Sequence, residues 1–369
     1  MPKLISAIHA FRALRPGAER LGYVASISRF ARLYWQRRFS PYEIHFYDLL
    51  RPELTDAALA HYMSKEEAIA LDGRRVLDSY LCTTADKAVF YALCRRAGVR
   101  CPELFAVFDR PCGWTPDGRL LRSEAEWCAL LEGLPRDFVV KPALGLLGKG
   151  VTAWHRQPTG FRSHDGRDCT AKELHALLCD SRRQNLFATG YSHHSLRLRE
   201  ESHKAIIQER VFAHPDIERL TGSSGLSTCR LFMNHDRAGN TEVMGTAMRL
   251  INGGNLVDNF DDGRKGNLWC SVDLATGCIV EAFSKAVGGD KLSRITRHPA
   301  TDCALVGFPI PYWNETVELA HRLATVFRPQ SLLHWDIGVT GSGPIAIEGN
   351  VGGQILPTPL NRPMHRAGE

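Results

Sequence analysis

Three oxygen-bearing side chains near the end of the chain are placed to bind a metal ion together. In the string LLHWDIGVTGSGPIAIEGNVGGQ, two apolar runs flank residues 340–344, which is typical of a β-hairpin with a loop of about five residues. A turn centred on Ser342 places Asp336 opposite Glu348, and Asn350 then lies on the same face. The apolar residues on both strands argue against a hairpin exposed to solvent, because an unpaired carboxylate in an apolar environment is energetically costly. Such oxygen ligands suit Mg²⁺, usually shared with substrate phosphates.

A glycine-rich segment in the middle of the chain is a second candidate. The string FVVKPALGLLGKGV has a buried strand ending at Lys141, followed by a turn that contains Gly145, Gly148 and Gly150. Glycines permit positive φ and close backbone approach, and the N–H groups of such a loop bind phosphates. Val151 stands where a P-loop requires lysine, so this is not a P-loop. Taken alone, an ordinary hairpin turn explains the segment better.

Two further polar features interrupt apolar strand patterns. Gln208 and Glu209 end the apolar run in AIIQERV, where backbone groups and a carboxylate could meet an adenine and its ribose. An ordinary strand edge is the simpler explanation of that run on its own. Arg230 and Arg249 lie within strand patterns, where an unpaired guanidinium is costly. Each therefore needs a phosphate or carboxylate partner, and a structural salt bridge is an equal alternative.

The positive charge of the chain is concentrated at one end. The net charge is +6, but residues 1–40 hold one lysine and seven arginines against a single glutamate, interleaved with aromatic and aliphatic residues. Two interpretations stay open. One is a basic amphipathic helix on an anionic membrane surface, and the other is a helical arm packed on the body with its arginines in water. No second basic patch exists, so we expect no nucleic-acid partner.

The remaining composition excludes several classes of protein. No apolar run reaches the roughly 18 residues that span a membrane, and no signal peptide is visible. The eleven cysteines are scattered without a CxxC pair, which favours reduced thiols over disulfides or a zinc site. We therefore expect a cytoplasmic protein, with membrane-peripheral contact as the alternative that the basic end leaves open.

The distribution of patterns predicts an α+β protein built from three parts. Residues 1–80 read as a basic, mostly helical region, and residues 81–215 mix helices and strands around the glycine-rich segment. Strands dominate residues 216–369, together with one amphipathic helix and the final hairpin. Residues 157–203 form a polar, irregular insert.

The succession of these features resembles the ATP-grasp superfamily over about residues 84–354. The closer resemblance is to the sugar-transfer-associated ATP-grasp family, related to α-L-glutamate-ligase-like proteins. It rests on the strings RLINGGNLVDNFDDG, VDLATG, HPAT, GFPIPYW and HWDIGVTGSGPIAIEGN. Two positions depart from the family pattern, which has a Gly-Gly pair at Asp262–Gly263 and a small residue at His334. The resemblance implies an ATP-grasp fold, in which two α+β lobes clamp ATP after a helical N-terminal region.

The resemblance also implies a role for each candidate residue. It implies that Lys87 and Lys141 bind the ATP phosphates, covered by a loop that contains Gly145, Gly148 and Gly150, and that Gln208, Glu209 and Val211 contact adenine. It also implies that Arg230 and Arg249 bind the transferred phosphate. The implied ligands of Mg²⁺ or Mn²⁺ are Asp336, Glu348 and Asn350. The implied enzyme is an ATP-dependent carboxylate–amine ligase acting through an acyl phosphate. Its carboxylate and amine substrates would be small molecules, sugar-linked if it serves polysaccharide biosynthesis. A hydroxyl kinase and a non-catalytic ATP-binding component of a polysaccharide system stay open.

Overall fold

The computed structural model describes residues 2–14, 22–75, 78–110, 112–145, 148–180, 204–236, 238–328, 330, 332–351 and 355–361. Residues 181–203 of the predicted polar insert lie outside these residues. The described part, 157–180, is more regular than predicted, because it contains the strands Phe161–Ser163 and Asp168–Cys169 in addition to the helix Ala171–Cys179. Among the described residues, no helix combines the length and the apolar character needed to cross a membrane.

The helices of the described chain are mostly short, and most of them precede the first sheet. They are α1 Pro2–Leu14, α2 Tyr23–Ala31 with a π-helical extension Arg32–Gln36, α3 Pro41–Phe46, α4 Asp56–Leu59, α5 Lys65–Arg75, α6 Cys82–Ala85, α7 Lys87–Arg96, α8 Glu124–Gly133, α9 Ala171–Cys179, α10 Pro215–Thr221 and α11 Trp313–Val326. The described part of residues 1–80 is thus largely helical, as the sequence predicts.

The first sheet has eight antiparallel strands in the order β3-β2-β1-β8-β4-β5-β6-β7. They are β1 Leu104–Asp109, β2 Cys112–Trp114, β3 Leu120–Leu121, β4 Asp137–Pro142, β5 Thr152–Arg156, β6 Phe161–Ser163, β7 Asp168–Cys169 and β8 Lys204–Glu209. Helices α8 and α9 supply Trp127, Leu131 and Leu174 to the core on one of its faces. The strand before the glycine-rich segment, β4, pairs with the strand after it, β5, and Phe138 lies opposite Trp154.

The second sheet has seven antiparallel strands in the order β13-β12-β11-β10-β9-β14-β15. They are β9 Thr228–His235, β10 Thr241–Leu250, β11 Leu268–Val272, β12 Ile279–Lys285, β13 Leu292–Ile295, β14 Leu332–Thr340 and β15 Gly343–Asn350. Helices α7 and α11 pack on one face, where Phe90 stacks on Phe327 and Trp335. Because side chains alternate along a strand, the neighbours of Trp335 on β14, His334 and Asp336, lie on the opposite face.

The N-terminal helices cover part of that opposite face. Leu33, Phe39 and Phe46 pack against Phe260 and Trp269 of the second half of the chain in one buried cluster. The arginines of this region do not simply lie in water, since five of them form ion pairs, four with carboxylates of helices α4 and α5 and one with the second half of the chain. These pairs are Arg12 with Asp290, Arg29 and Arg32 with Asp56, Arg37 with Glu67, and Arg38 with Glu66. The basic end is therefore an integral part of the fold.

The turn of the final hairpin differs from the prediction. Thr340 pairs with Gly343, so the turn has two central residues instead of a five-residue loop. In that register Ile347 would face Asp336, but the pairing shifts by one residue between Asp336 and Ile337. This bulge on β15 places Glu348 opposite Asp336, which is the predicted pair reached through a different turn.

Candidate functional site

The start of α7 joins the first sheet to the final hairpin. Asp86 caps the helix, because its side chain accepts a hydrogen bond from the Ala88 N–H. The side chain of Lys87, the first helical residue, donates from Nζ to the Gly145 carbonyl at 2.8 Å. The same Nζ lies 3.4 Å from Oε2 of Glu348. One lysine therefore links the glycine-rich segment to a predicted metal ligand.

The second lysine is buried at the end of β4 and is held by a tyrosine. Lys141 donates from Nζ to the Tyr91 hydroxyl at 2.9 Å, and that hydroxyl donates to the Ile347 carbonyl at 2.9 Å. Burial, assisted by the nearby charge of Lys87, lowers the pKa of Lys141 to about 7. Burial also raises the pKa of Tyr91, with Glu348 adding to the effect, so its hydroxyl keeps the proton that it donates. Tyr91 thus couples Lys141 to the bulge beside Glu348.

The glycine-rich segment lies against the loop of residues 252–266. Gly148 and Gly150 have φ of +63° and +69°, a conformation that costs other residues about 1–2 kcal/mol. A Cβ added to Gly148 would stand 2.7 Å from Cγ2 of Val257, closer than side chains approach each other. These two positions therefore require glycine for backbone conformation, and Gly148 also requires it for the contact between the two loops.

The residues predicted to contact adenine lie at and just past the end of β8, a central strand of the first sheet. Pairing of β4 with β8 puts Gln208 on the face that carries Lys141, and Gln208 is buried. Its Oε1 has no hydrogen-bond partner among the described residues, which marks it as an atom able to receive a ligand donor. Glu209 accepts a hydrogen bond from the Glu103 N–H at 3.1 Å, and Val211 lies two residues past β8, half-buried.

The three predicted metal ligands converge on one face of the hairpin. Asp336 lies opposite Glu348, and His334 lies opposite Asn350. The Asn350 amide donates to Oδ2 of Asp336 at 3.1 Å and to Oε1 of Glu348 at 3.3 Å. Glu348 keeps about a quarter of its side chain exposed, whereas Asp336 is buried.

Both predicted arginines bind Asp336. Arg230 donates to it from Nε and Nη2, each at 2.8 Å, and Arg249 donates from Nη2 at 3.0 Å. Burial alone would raise the pKa of Asp336, but the two guanidiniums outweigh burial and hold that pKa below its usual value. Arg249 also lies 3.4 Å from Asp258, so a buried chain of alternating charges runs through the site.

Two residues of this network, Asp258 and Tyr91, were not predicted from the sequence to belong to the site. Asp258 lies within a string that carries the resemblance, yet only the fold brings it to Arg249 and Thr228. Tyr91 lies on α7 among apolar residues, and nothing in its local pattern distinguishes it from a core aromatic. Both became recognisable only through contacts with residues more than 25 positions away in the chain.

The oxygen donors of the hairpin fit a hard divalent cation. No group of three or more His, Cys, Asp and Glu side chains is arranged for a metal among the described residues, so the ion would be held by two carboxylates, an amide and phosphate oxygens. From the described part of the chain, Oδ1 of Asp336 accepts a single hydrogen bond, donated by Arg230, which leaves a lone pair on that oxygen. Rotation of the Asn350 side-chain amide by about 180° places its oxygen where Nδ2 now lies, facing Asp336 and Glu348. The residues therefore fit Mg²⁺, with Glu348 the most accessible ligand.

Comparison with known families shows which family the chain belongs to. A sequence model of the family described as sugar-transfer associated ATP-grasp matches residues 77–360, about three quarters of the chain. The chain belongs to this family. Its fold is accordingly the ATP-grasp fold, of the α+β class, and membership supports an ATP-dependent enzyme. No curated protein matches the chain by sequence.

Several solved structures resemble this ATP-grasp chain in fold at low identity. The biotin carboxylase domain of 2-oxoglutarate carboxylase from Hydrogenobacter thermophilus has 13% identity and a TM-score of 0.40, covering 81% of this chain and 47% of that one. Biotin carboxylase from Campylobacter jejuni has 10% identity and a TM-score of 0.42, covering 81% and 48%. The D-Ala:D-Ser ligase VanG from Enterococcus faecalis has 13% identity and a TM-score of 0.36, covering 72% and 52%. The chain thus spans about half the length of these proteins.

The two departures from the ATP-grasp family pattern have structural explanations. Asp262 has φ of +51°, a conformation natural for glycine, and its carboxylate accepts hydrogen bonds from the hydroxyls of Tyr42 and Tyr47. Those bonds compensate for the backbone strain at this position. His334 is buried and stacks on Phe232, with ring centroids 4.4 Å apart. Burial, together with the charge of Arg230, lowers the pKa of His334, so the imidazole is neutral.

Proposed function

We propose that the chain is an ATP- and Mg²⁺-dependent carboxylate–amine ligase that acts through an acyl phosphate. The observation that carries the proposal is the meeting of Lys87, Gly145 and Glu348 within hydrogen-bonding and ion-pair distance. A loop proposed to bind phosphate, a lysine and a carboxylate proposed to bind the metal therefore lie side by side. Small-molecule acids and amines, sugar-linked as the family description suggests, would be its substrates.

The proposal assigns ATP to the space between the two sheets. Lys87 and Lys141 would bind the phosphates, and the loop that contains Gly145, Gly148 and Gly150 would cover them. Gln208, Glu209 and Val211 would bind adenine. Mg²⁺ would be held by Glu348, Asn350 and Oδ1 of Asp336, and when bound it would offset the charge of the phosphates. Gln208 supports this placement, because its buried and unpaired Oε1 lies on the face that carries Lys141.

The two arginines have different roles in this proposal. Arg230 uses Nε and Nη2 on Asp336, so Nη1 is the atom available to a phosphoryl group. Arg249 is buried between Asp258 and Asp336 and would act through Asp336 as a positioning residue. Fixed positive groups of this kind stabilise charge that develops on the transferred phosphoryl group.

The proposed reaction has two steps. A carboxylate oxygen of the first substrate attacks the γ-phosphorus of ATP, the bond to the ADP oxygen breaks, and an acyl phosphate forms. The amine of the second substrate then attacks the acyl carbon, inorganic phosphate leaves, and an amide forms with loss of a proton. No covalent intermediate on the protein is needed, and the lysines and Arg230 would hold the phosphoryl group in place.

The test is Mg²⁺-dependent ADP release from ATP against a panel of amino acids, uronic acids and amino sugars. We expect release that requires both an acid and an amine, and its loss in Glu348→Gln. Glu281→Gln, which changes a glutamate on β12 outside the site, is the matched control and should keep full activity. Release with a sugar or alcohol alone would show a kinase instead. Nucleotide binding without turnover on any mixture would favour a non-catalytic ATP-binding component.

A further inference from the structure

Helix α2 and its π-helical extension turn their apolar side chains outward. Tyr23, Val24 and Trp35 are 63%, 81% and 75% exposed, while Ser26 and Leu33 are buried. An amphipathic helix of a globular protein normally buries its apolar face and exposes its polar face. Here a serine takes a buried position while large apolar residues face the solvent, so packing among the residues that the structure describes does not account for the outer surface.

The outward side chains form one continuous arc along the helix. We call this surface the α2 patch, and it consists of Tyr23, Val24, Ile27, Tyr34 and Trp35. The spacing of these residues keeps them on one side of a helical surface, where positions three and four apart are neighbours. The Tyr34 and Trp35 rings contact each other with centroids 5.7 Å apart. The adjoining α1 adds Ile8 and Phe11, which are also exposed.

Positive charge accompanies the α2 patch. Arg32, the first residue of the π-helical extension, and Arg38, two residues past its end, keep 43% and 61% of their side chains exposed. Arg29 and Arg32 share a single carboxylate, that of Asp56, so this stretch keeps an excess of positive charge even with its ion pairs formed. Lys3, Arg15 and Arg20 add to the excess in the same 40 residues.

We propose that the α2 patch inserts into the headgroup region of an anionic phospholipid membrane. Tyrosine and tryptophan combine an apolar ring with a polar tip, which is the chemistry favoured at a membrane–water interface. The side chains stand out from a single convex helix, a shape that enters a lipid interface to a depth of about 5–10 Å. The positive excess complements the negative surface potential of such a membrane. The proposal does not depend on the ligase activity.

The test is flotation of the full chain with lipid vesicles. We expect binding to phosphatidylcholine vesicles that contain phosphatidylglycerol, weakening as salt is raised, and little binding to phosphatidylcholine alone. The double variant Tyr23→Ser/Trp35→Ser should bind at least about tenfold more weakly, because two apolar anchors are lost. Val287→Ser/Val306→Ser, which changes two exposed valines of the body, is the matched control and should bind like the unmodified chain.

Three outcomes would overturn the proposal. They are unchanged vesicle binding by the double variant, equal binding of the unmodified chain to both vesicle types, and no binding at all. If binding is absent and the chain forms a dimer that the double variant abolishes, the α2 patch contacts a second copy of the chain. Thermal unfolding of each variant, measured in parallel, separates loss of the surface from loss of the fold, since all four changed residues are exposed.

Discussion

Asp336 is the residue on which the charge balance of the site depends. Its carboxylate is buried and binds two guanidiniums that are themselves largely buried. Loss of one member of such a group leaves the others uncompensated, which costs far more than loss of an exposed pair. Asp336 therefore has a structural role in addition to the one proposed at the metal ion.

We expect Asp336→Asn to lower the free energy of unfolding by about 3–5 kcal/mol, because Arg230 and Arg249 lose their shared partner. The matched control is Asp56→Asn, since Asp56 also lies between two arginines but is 59% exposed, and its loss should cost less than about 1 kcal/mol. Urea denaturation of both variants measures the difference. Equal destabilisation would show that the buried network contributes no more than a surface pair.

Lys141 is expected to take up a proton when nucleotide binds. Its lowered pKa of about 7 leaves the free amine largely neutral at higher pH, and bound phosphates would raise that pKa toward or above the usual value of about 10. Uptake should occur between about pH 7 and pH 10 and vanish below pH 7, where the amine is already charged. Calorimetry of ADP binding in two buffers of different ionisation enthalpy measures it. Lys141→Arg, which stays charged, should show no uptake, and identical enthalpies for the unmodified chain would contradict the prediction.

At the scale of elements, the bulge on β15 decides which side chains reach the site. A two-residue turn without the bulge would place Ile347 opposite Asp336 and turn Glu348 toward the core. The carbonyl of Ile347 accepts the Tyr91 hydroxyl, so α7 contacts the hairpin at the bulge itself. The helix that carries Lys87 is thus tied to the strand that carries Glu348.

The contact between the glycine-rich segment and the loop of residues 252–266 gives a prediction for Gly148→Ala. The new Cβ would stand 2.7 Å from Val257, so the two loops must separate, and we expect ADP·Mg²⁺ affinity to fall about tenfold. Gly288→Ala has a similar positive φ with open space around it, so it carries the backbone strain without the clash and should bind normally. Titration calorimetry compares them. Equal losses would assign the effect to strain alone.

At the scale of the molecule, the N-terminal region is part of the body that carries the site. It covers apolar side chains of the second sheet, and the hydroxyls of Tyr42 and Tyr47 hold Asp262 in the loop of residues 252–266. The same region presents the α2 patch on its outer surface. One segment therefore contacts the loop beside the candidate site on its inner side and turns apolar side chains to solvent on its outer side.

Removal of residues 1–62 is expected to prevent folding to a soluble monomer. The deletion would expose Phe260, Trp269, Phe283 and Leu292, which are buried beneath the N-terminal helices. Removal of residues 1–14 alone takes few side chains from that cluster and is the control. Soluble yield and binding of a fluorescent dye specific for apolar surface compare the two. A soluble, cooperatively folding chain after the longer deletion would contradict the prediction.

The sequence by itself determined the local features of this protein. Strands, the amphipathic helix α11 and the glycine turn follow from residue types at fixed spacing, which act over a few positions. The facing of Asp336 and Glu348 was predicted from a turn that the structure does not have, and the bulge on β15 produces it. The order of these features indicated the ATP-grasp superfamily, and five longer strings indicated the family that the chain belongs to. The turn was predicted incorrectly, since a bulge costs little locally and leaves no clear mark in a glycine-rich hairpin.

Only the tertiary structure decided which charges meet and which faces are covered. Asp258 reaches Arg249 from a loop, and Tyr91 reaches Ile347 across more than 250 residues, so no local pattern records either contact. The sequence assigned no partners to the arginines of the first 40 residues, yet five of them form ion pairs, one with Asp290 and four with Asp56, Glu66 and Glu67 of the N-terminal region. The outward face of α2 is equally invisible to periodicity, because a period shows that a helix has an apolar side and not where that side points.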